Sequence, residues 1–343
     1  MVFRLLWERC MGKLLYFCPC MKPLKFHSLL VPKIWGGDAI AALKGLKRAP
    51  ALVGESFEIS ALPGQETYCS TEGFVGLTLP ALIAKYGAEL LGSANFQRYG
   101  TSFPLLIKFI DAREALSVQV HPDDAMAREE GMPYGKSEMW YVVGTQPGAS
   151  LMAGFSEDVD AADYERMVAD GTLVDKACHY DTHPGDAFYI PAGTLHSIGA
   201  GNLIVEVQQS SGATYRVYDF NRTDERGRRR ELHIDQARRA LDFQRRTDCF
   251  VSVGKDTGRP VSVCRTPYFT TEVLRLVSDF SLSLCDIDSF VALVCYQGSA
   301  SLTDNEGNPV TLTAGETVLI PASTQALRFI PSAEGFACLA AYV

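Results

Sequence analysis

The chain lacks the features that would point to a membrane or to nucleic acid. Nowhere do its 343 residues contain an uninterrupted apolar run of about 18, the length a bilayer-spanning helix needs. Arg4, Glu8, Arg9 and Lys13 break up the first twenty residues, which also rules out a clean signal-peptide core there. Positive charge is short: 32 Lys and Arg face 40 Asp and Glu, for a net charge of −8. A net anion does not attract phosphate polymers or anionic lipid surfaces, so neither a nucleic-acid nor a membrane partner is expected, and an anionic metabolite needs local cations. No C-x-x-C pair and no paired framework organises the ten cysteines. They read as free thiols of a reducing cytoplasm, with Cys285, Cys295 and Cys338 as buried small hydrophobes. A glycine-rich phosphate loop is also missing.

What is present is a polar pattern set into apolar strands. Gly185, Pro191, Gly193 and His196 frame a tight turn, the short strand Ala187-Phe188-Tyr189-Ile190, a Pro/Gly corner and then a histidine where the next strand begins. Upstream, Gln119 and His121 stand at i and i+2 and so share one face of a strand. Glu138 opens another apolar run, Met139-Trp140-Tyr141-Val142-Val143. A lone histidine in a strand is usually a packing residue. Four polar groups on inward faces are costly unless something satisfies them. Two imidazoles, a carboxylate and an amide oxygen suit a divalent transition metal with a position left open, so Gln119, His121, Glu138 and His196 are the candidate metal ligands.

Two further charges sit where charges are expensive. Glu206 lies in the apolar stretch Leu203-Ile204-Val205-Glu206-Val207, and Arg216 in the aromatic-rich Tyr215-Arg216-Val217-Tyr218. A strand-end salt bridge is the plainer reading of Glu206. Lys136, two residues before Glu138, shares a face with it if the strand extends that far. The basic run over residues 222–230 reads as a solvated lead into a helix.

At 343 residues with 47% hydrophobic composition, the chain has room for two domains with packed cores. Apolar spacing and Pro80 predict a helix over residues 79–92, with further helices over 123–130 and 160–169 and another from Glu231 through Leu241. Strands are expected over 117–120, 138–143, 187–190 and 203–208. An internal repeat closes the chain. Gly315, Pro321 and Thr324 copy Gly185, Pro191 and Thr194 at a constant offset of 130 residues, but Ala326 stands where His196 requires a histidine.

The turn–strand–corner pattern resembles the second cupin motif, and Gln119-x-His121 with Glu138 resembles a variant of the first. With Gln119-Val120-His121-Pro122, Gly135-Lys136-Ser137-Glu138, Gly193-Thr194-Leu195-His196 and Tyr215-Arg216-Val217-Tyr218-Asp219-Phe220 in this order, the chain resembles the type I mannose-6-phosphate isomerases in their short bacterial form. Lys33-Ile34-Trp35-Gly36-Gly37, Gly54-Glu55-Ser56-Phe57-Glu58 and Pro104-Leu105-Leu106-Ile107-Lys108 extend the likeness, which runs from about Met21 to Val343.

The resemblance implies a mainly β fold of two cupin-type jelly-roll barrels with helical insertions. Residues 21–250 form a metal-binding catalytic domain, 251–343 a second barrel without ligands, and 1–20 an appendage outside the fold. It implies one zinc ion per chain, a small phosphosugar substrate, and substrate contacts from Lys108, Ser117, Lys136 and Arg216. Glu206, Arg216 and Lys136 match catalytic positions. Two other cupin functions share parts of this pattern. A non-haem iron dioxygenase also uses two histidines and a carboxylate, and a non-catalytic sugar-binding cupin is expected to lose Glu206 or Arg216. No oligomerisation signal is legible, and a monomer is the default.

Overall fold

The computed structural model describes residues 21–223 and 226–343, so the appendage expected over 1–20 lies outside the described residues. The fold is mainly β, in three sheets whose neighbouring strands all run antiparallel. One seven-stranded sheet runs in the order Phe250–Val251, Ala187–Ile190, Glu138–Thr145, Asn202–Gln209, Leu105–Ala112, Val53–Ile59 and Leu29–Gly37. A five-stranded sheet contains Tyr215–Tyr218, Val118–Val120, His196–Ile198, Ser150–Phe155 and Ala177–Asp181. The third, nine-stranded, is built mostly from the last eighty or so residues, about the long strands Val291–Asp304 and Ala326–Tyr342.

Period-2 alternation decides what each strand buries. On Glu138–Thr145, Trp140 and Val142 join Ile110, Ile204, Leu151, Ala153 and Ile198 in a core between the seven- and five-stranded sheets. Met139 and Tyr141, pointing the other way, join Val205, Val207, Ile107 and Phe109 in a second core with Val273, Ala292, Val294 and Leu339 of the nine-stranded sheet. The seven-stranded sheet is therefore covered on both faces, which explains its nearly continuous apolar runs. Glu138, Glu206 and Lys108 share the parity of Trp140, Ile204 and Ile110. Alternation alone thus directs them into the space between the first two sheets.

The internal repeat is structural as well as sequential. Gly185 N–H donates to Val142 O and Gly315 N–H to Cys295 O, each at 2.8 Å, and both glycines have positive φ, 98° and 85°. Both corners then close with the same turn, Thr194 N to Pro191 O at 3.2 Å and Thr324 N to Pro321 O at 3.0 Å. Where His196 begins a strand in the first copy, Ala326 begins one in the second.

Several expectations shift in detail. The helix expected over 79–92 divides into Leu79–Tyr86 and Ala88–Leu91, because Gly87 adopts φ 49° and its N–H closes the first segment on Ile83 O. Thr78 caps the first segment through Ala81 N–H. The helix expected over 160–169 begins only at Tyr164, and the one expected from Glu231 through Leu241 spans only Ile234–Ala240. Cys295 and Cys338 are buried free thiols, but Cys285 is exposed, in the stretch before Val291–Asp304 where no sheet covers it. No described helix is long and apolar enough to cross a membrane.

The early chain is stitched to the late chain. Leu24–His27 pairs with Thr317–Ile320, with Leu24 opposite Leu319. Lys44 lies 2.7 Å from Glu58, the two side chains being 8% and 2% exposed, and also donates to the carbonyl of Gly315. Glu58 is held further by Ser56 and Ser28. Removing one member of such a pair strands the other charge in a low-dielectric site. Lys44→Ala is expected to lower unfolding stability by about 3–5 kcal/mol, read as a drop in the denaturant midpoint. A change within about 0.5 kcal/mol would show instead that water reaches the pair.

Candidate active site

The four candidate ligands come from both walls of the sandwich. Gln119 and His196 are cross-strand partners in the five-stranded sheet, and His121 follows Gln119 by two residues on the same face. Glu138 faces them from the seven-stranded sheet, paired in register with Ile190 on one side and Gln208 on the other. Gly193, at φ 84°, makes the corner between Ala187–Ile190 and His196–Ile198, and its N–H donates to His121 O at 3.0 Å. That bond ties the two histidine-bearing segments together.

The geometry is tight. His121 Nε2 and His196 Nε2 are 3.1 Å apart, and Glu138 Oε2 and Oε1 lie 3.4 and 3.3 Å from them respectively. The Gln119 amide reaches His196 Nε2 at 3.3 Å. His121, Glu138 and His196 are at most 1% exposed. His196 Nδ1 lies 2.8 Å from Thr194 O, which accepts its proton and leaves the Nε2 lone pair facing Glu138. Although Lys136 Nζ stands 3.0 Å from Glu138 Oε2, neither carboxylate oxygen accepts a hydrogen bond of good geometry. Converging nitrogen lone pairs and a buried carboxylate repel one another unless a cation sits among them. The donor set therefore fits a divalent metal.

Charge states agree with that arrangement. Burial, reinforced by Lys136, pushes His121 down to about 3, and burial lowers His196 as well. Burial opposes ionisation of Glu138, but the charge of Lys136 beside it outweighs this and holds the carboxyl well below its ordinary range. Both imidazoles are thus neutral in the fold. In the unfolded chain they take up protons below about pH 6.5. Folded values below unfolded ones mean stability that is complete above pH 6.5 and lost as pH falls, with Glu138 adding to the loss below 4.5. Metal-free protein is expected to lose about 1.4 kcal/mol per titrating group per pH unit in that window. Denaturant unfolding between pH 7.5 and 5 checks this, and a flat profile would contradict the buried neutral imidazoles.

Above this cluster opens a cleft of about 400 Å³. Lys108, Ser117, Gln119, Lys136, Glu206 and Arg216 all line it, so every residue singled out in the sequence is either in the cleft or directly beneath it. Arg216 is paired in register with Gln119, and its guanidinium donates through Nε to Ser117 Oγ at 3.3 Å and through Nη1 to Glu231 O at 2.8 Å. Glu206 Oε1 lies 2.9 Å from Lys108 Nζ, so the ion pair is present, but it is buried in the middle of Asn202–Gln209 and not at a strand end, and it lines the cleft. Burial raises the Glu206 carboxyl above its ordinary value, with Lys108 only partly offsetting it. Burial would lower Lys108, but Glu206 and Glu55 overcome this and raise it.

Lys33, Glu55, Trp140 and Arg230, to which sequence reasoning assigns no role, also line the cleft. The signal for Glu55 was the one that exposed Glu206, a charge in a strand flanked by buried residues. A larger cavity of about 700 Å³ opens on the other side of the seven-stranded sheet, beside Tyr141, Arg275 and Tyr296, and holds none of the candidate ligands.

Comparison with known proteins agrees with this geometry. Residues 24–142 match the family model of the phosphomannose isomerase type I catalytic domain. A mannose-6-phosphate isomerase of Streptococcus mutans is 33% identical over 312 residues, 90% of this chain and 95% of that protein. The putative mannose-6-phosphate isomerase YvyI of Bacillus subtilis is 30% identical over 88% of this chain and 93% of its own length. The crystal structure of a mannose 6-phosphate isomerase from Bacillus subtilis superposes with a TM-score of 0.83 at 27% identity, covering 94% of this chain and 100% of that one. With a relative of this identity matched over nearly its whole length, and the buried His–Glu–His cluster beneath a cationic cleft, the chain belongs to the type I phosphomannose isomerase family.

Proposed function

We propose that this chain interconverts mannose 6-phosphate and fructose 6-phosphate with one zinc ion held by Gln119, His121, Glu138 and His196. The observation that carries the reading is the meeting of these four side chains beneath a cleft whose lining places five cations, Lys33, Lys108, Lys136, Arg216 and Arg230, with two carboxylates, Glu55 and Glu206. A chain of net charge −8 that concentrates cations in one cleft is built to receive an anion there. Family membership supplies the sugar.

An aldose–ketose conversion carries a proton between adjacent carbons through an enediol(ate), so it needs an acid–base group and stabilisation of a developing oxyanion. A bound divalent metal supplies Lewis-acid polarisation of the sugar oxygens. In this reading Glu206, whose carboxyl is raised by burial, takes and returns the proton, and Lys108 beside it keeps the pair compact. Arg216 and Lys136 donate to oxygen as negative charge builds, and Lys108, Ser117, Lys136 and Arg216 contact the substrate.

The remaining features belong to the same reading. The paired sheets form two cupin-type jelly rolls, with residues 21–250 as the catalytic unit and 251–343 as its metal-free partner. The enzyme works in the cytoplasm as a monomer. The equivalent bonding of Gly185 and Gly315 supports a duplicated barrel. Formation of fructose 6-phosphate, followed by a coupled assay before chelation, after it and after zinc is restored, tests the function. Absence of turnover in a metal-replete preparation would remove the isomerase reading.

A further inference from the structure

The buried Lys108–Glu206 pair does not stand alone. It is the middle of a row that crosses neighbouring strands of the seven-stranded sheet. In register, Glu206 faces Trp140 on one side and Lys108 on the other, and Lys108 in turn faces Phe57, two residues from Glu55 on the same face. Trp140 Nε1–H donates to Glu206 Oε2 at 3.1 Å, while Lys108 Nζ lies 2.9 Å from Oε1 as an ion pair without hydrogen-bond geometry. Glu55 Oε1 lies 3.3 Å from Lys108 Nζ and Oε2 2.8 Å from Lys33 Nζ. The row therefore alternates indole N–H, carboxylate, ammonium, carboxylate, ammonium. Its buried end lies by the metal cluster and its last member, Lys33, is 34% exposed at the cleft.

Resting on the isomerase reading, we propose that Trp140 and Glu55 are positioning residues that hold the Lys108–Glu206 pair from its two ends and so fix Glu206 for proton transfer. A carboxylate held at one oxygen by an ion pair alone still rotates about its last bond, whereas a directional N–H at the other oxygen fixes its plane. Trp140 supplies the second restraint to Glu206. Its ring also packs edge-on against His196, at 5.4 Å and 69° between planes. One rigid, 1%-exposed indole thus sets the separation of Glu206 from a metal-side imidazole.

Glu55 acts from the other end. Lys108, seated over the Phe57 ring at 5.2 Å, has an ammonium shared between two carboxylates. Without the charge of Glu55 the ammonium belongs to Glu206 alone, and the closer pair draws that carboxylate back toward the sheet. Despite burial, Lys108 and Lys33 hold Glu55 at about 2, so this counter-charge is constant throughout the working range of the enzyme. A displacement of about 1 Å at a reacting group is enough to cost about 100-fold in rate.

The test uses full-length, metal-loaded enzyme and five variants: Trp140→Phe, Glu55→Gln, Glu206→Gln, and each of the first two combined with Glu206→Gln. Trp140→Phe and Glu55→Gln are each expected to lose about 10- to 100-fold in kcat, with metal content unchanged and, for Trp140→Phe, KM for mannose 6-phosphate within about threefold. Because they act through Glu206, each is expected to add little further loss in the Glu206→Gln background. Wild-type kcat in both Trp140→Phe and Glu55→Gln, or losses that multiply fully with that of Glu206→Gln, would overturn the proposal. Should Trp140→Phe lose metal or melt early, the isosteric Glu55→Gln decides the matter, with partial recovery in Glu55→Asp as the supporting result. Failure of the wild-type enzyme to turn over mannose 6-phosphate instead removes the functional reading on which the proposal rests.

Discussion

His196→Ala is expected to abolish both metal retention and turnover, lowering kcat/KM by at least about 10³-fold, equivalent to about 4 kcal/mol of transition-state stabilisation. The size follows from how the site is assembled. His196 meets all three of the other candidate ligands, with Nε2 3.1 Å from His121 Nε2, 3.3 Å from Glu138 Oε1 and 3.3 Å from the Gln119 amide. Its Nδ1 is anchored to Thr194 O, so the ring arrives in the orientation that a cation requires. Truncation leaves a cavity beside a fully buried carboxylate and one neutral imidazole, a set too sparse to hold a divalent ion tightly. The measurement is metal per chain by elemental analysis alongside the coupled assay. A second readout is thermal. Free metal at about 100 times its dissociation constant stabilises a folded protein by about 2.7 kcal/mol. The wild-type melting temperature should therefore fall on chelation and that of the variant should not. Full metal content with lost activity would assign His196 to the chemistry instead of the binding.

How much of this site was legible in the sequence depends on one physical rule, that charge inside an apolar strand is costly. Glu206, Arg216 and Glu138 stand out against their neighbours for that reason, and the glycine and proline corners before His196 gave its strand boundary. Glu55 obeys the same rule but lies in a strand with Ser56 and Glu58, where a mixture of polar residues hides the signal. Glu58 turns out to be the partner of Lys44 at the junction with Gly315, a long-range contact that no local pattern announces. Trp140 was invisible for the opposite reason. A tryptophan in an apolar run reads as packing, which it is, and its single polar atom finds Glu206 only through strand register. Register likewise could not be read from the first strand of the described chain, which joins Thr317–Ile320 nearly three hundred residues later. The helix break at Gly87 and the exposure of Cys285 belong to a further class, since composition favours a continuous helix and a buried thiol while backbone geometry and the limits of the sheet decide otherwise.

Arg216→Ala provides the sharpest separation between holding metal and using it. The residue sits beside Gln119 in the five-stranded sheet, and its guanidinium is braced by Glu231 O and by Ser117 Oγ, which in turn donates to Gln119 Oε1 at 3.4 Å. None of these contacts is to His121, Glu138 or His196, so truncation should leave metal content at the wild-type level. Turnover should nevertheless fall by about 10²- to 10³-fold, the usual cost of removing one preorganised donor to a developing oxyanion. Arg216→Lys is expected to recover only part of that loss, because an ammonium restores the charge but not the planar fork that reaches Ser117 and a substrate oxygen together. Ser117→Ala should cost far less, since it loosens one brace and leaves the charge in place. If Arg216→Ala instead released the metal, the residue would be a support for Gln119 through the strand pairing they share. If KM rose with kcat unchanged, Arg216 would serve to bind the phosphate and not to stabilise the enediolate. Three quantities, metal per chain, kcat and KM, therefore assign this one side chain among support, anchor and catalyst.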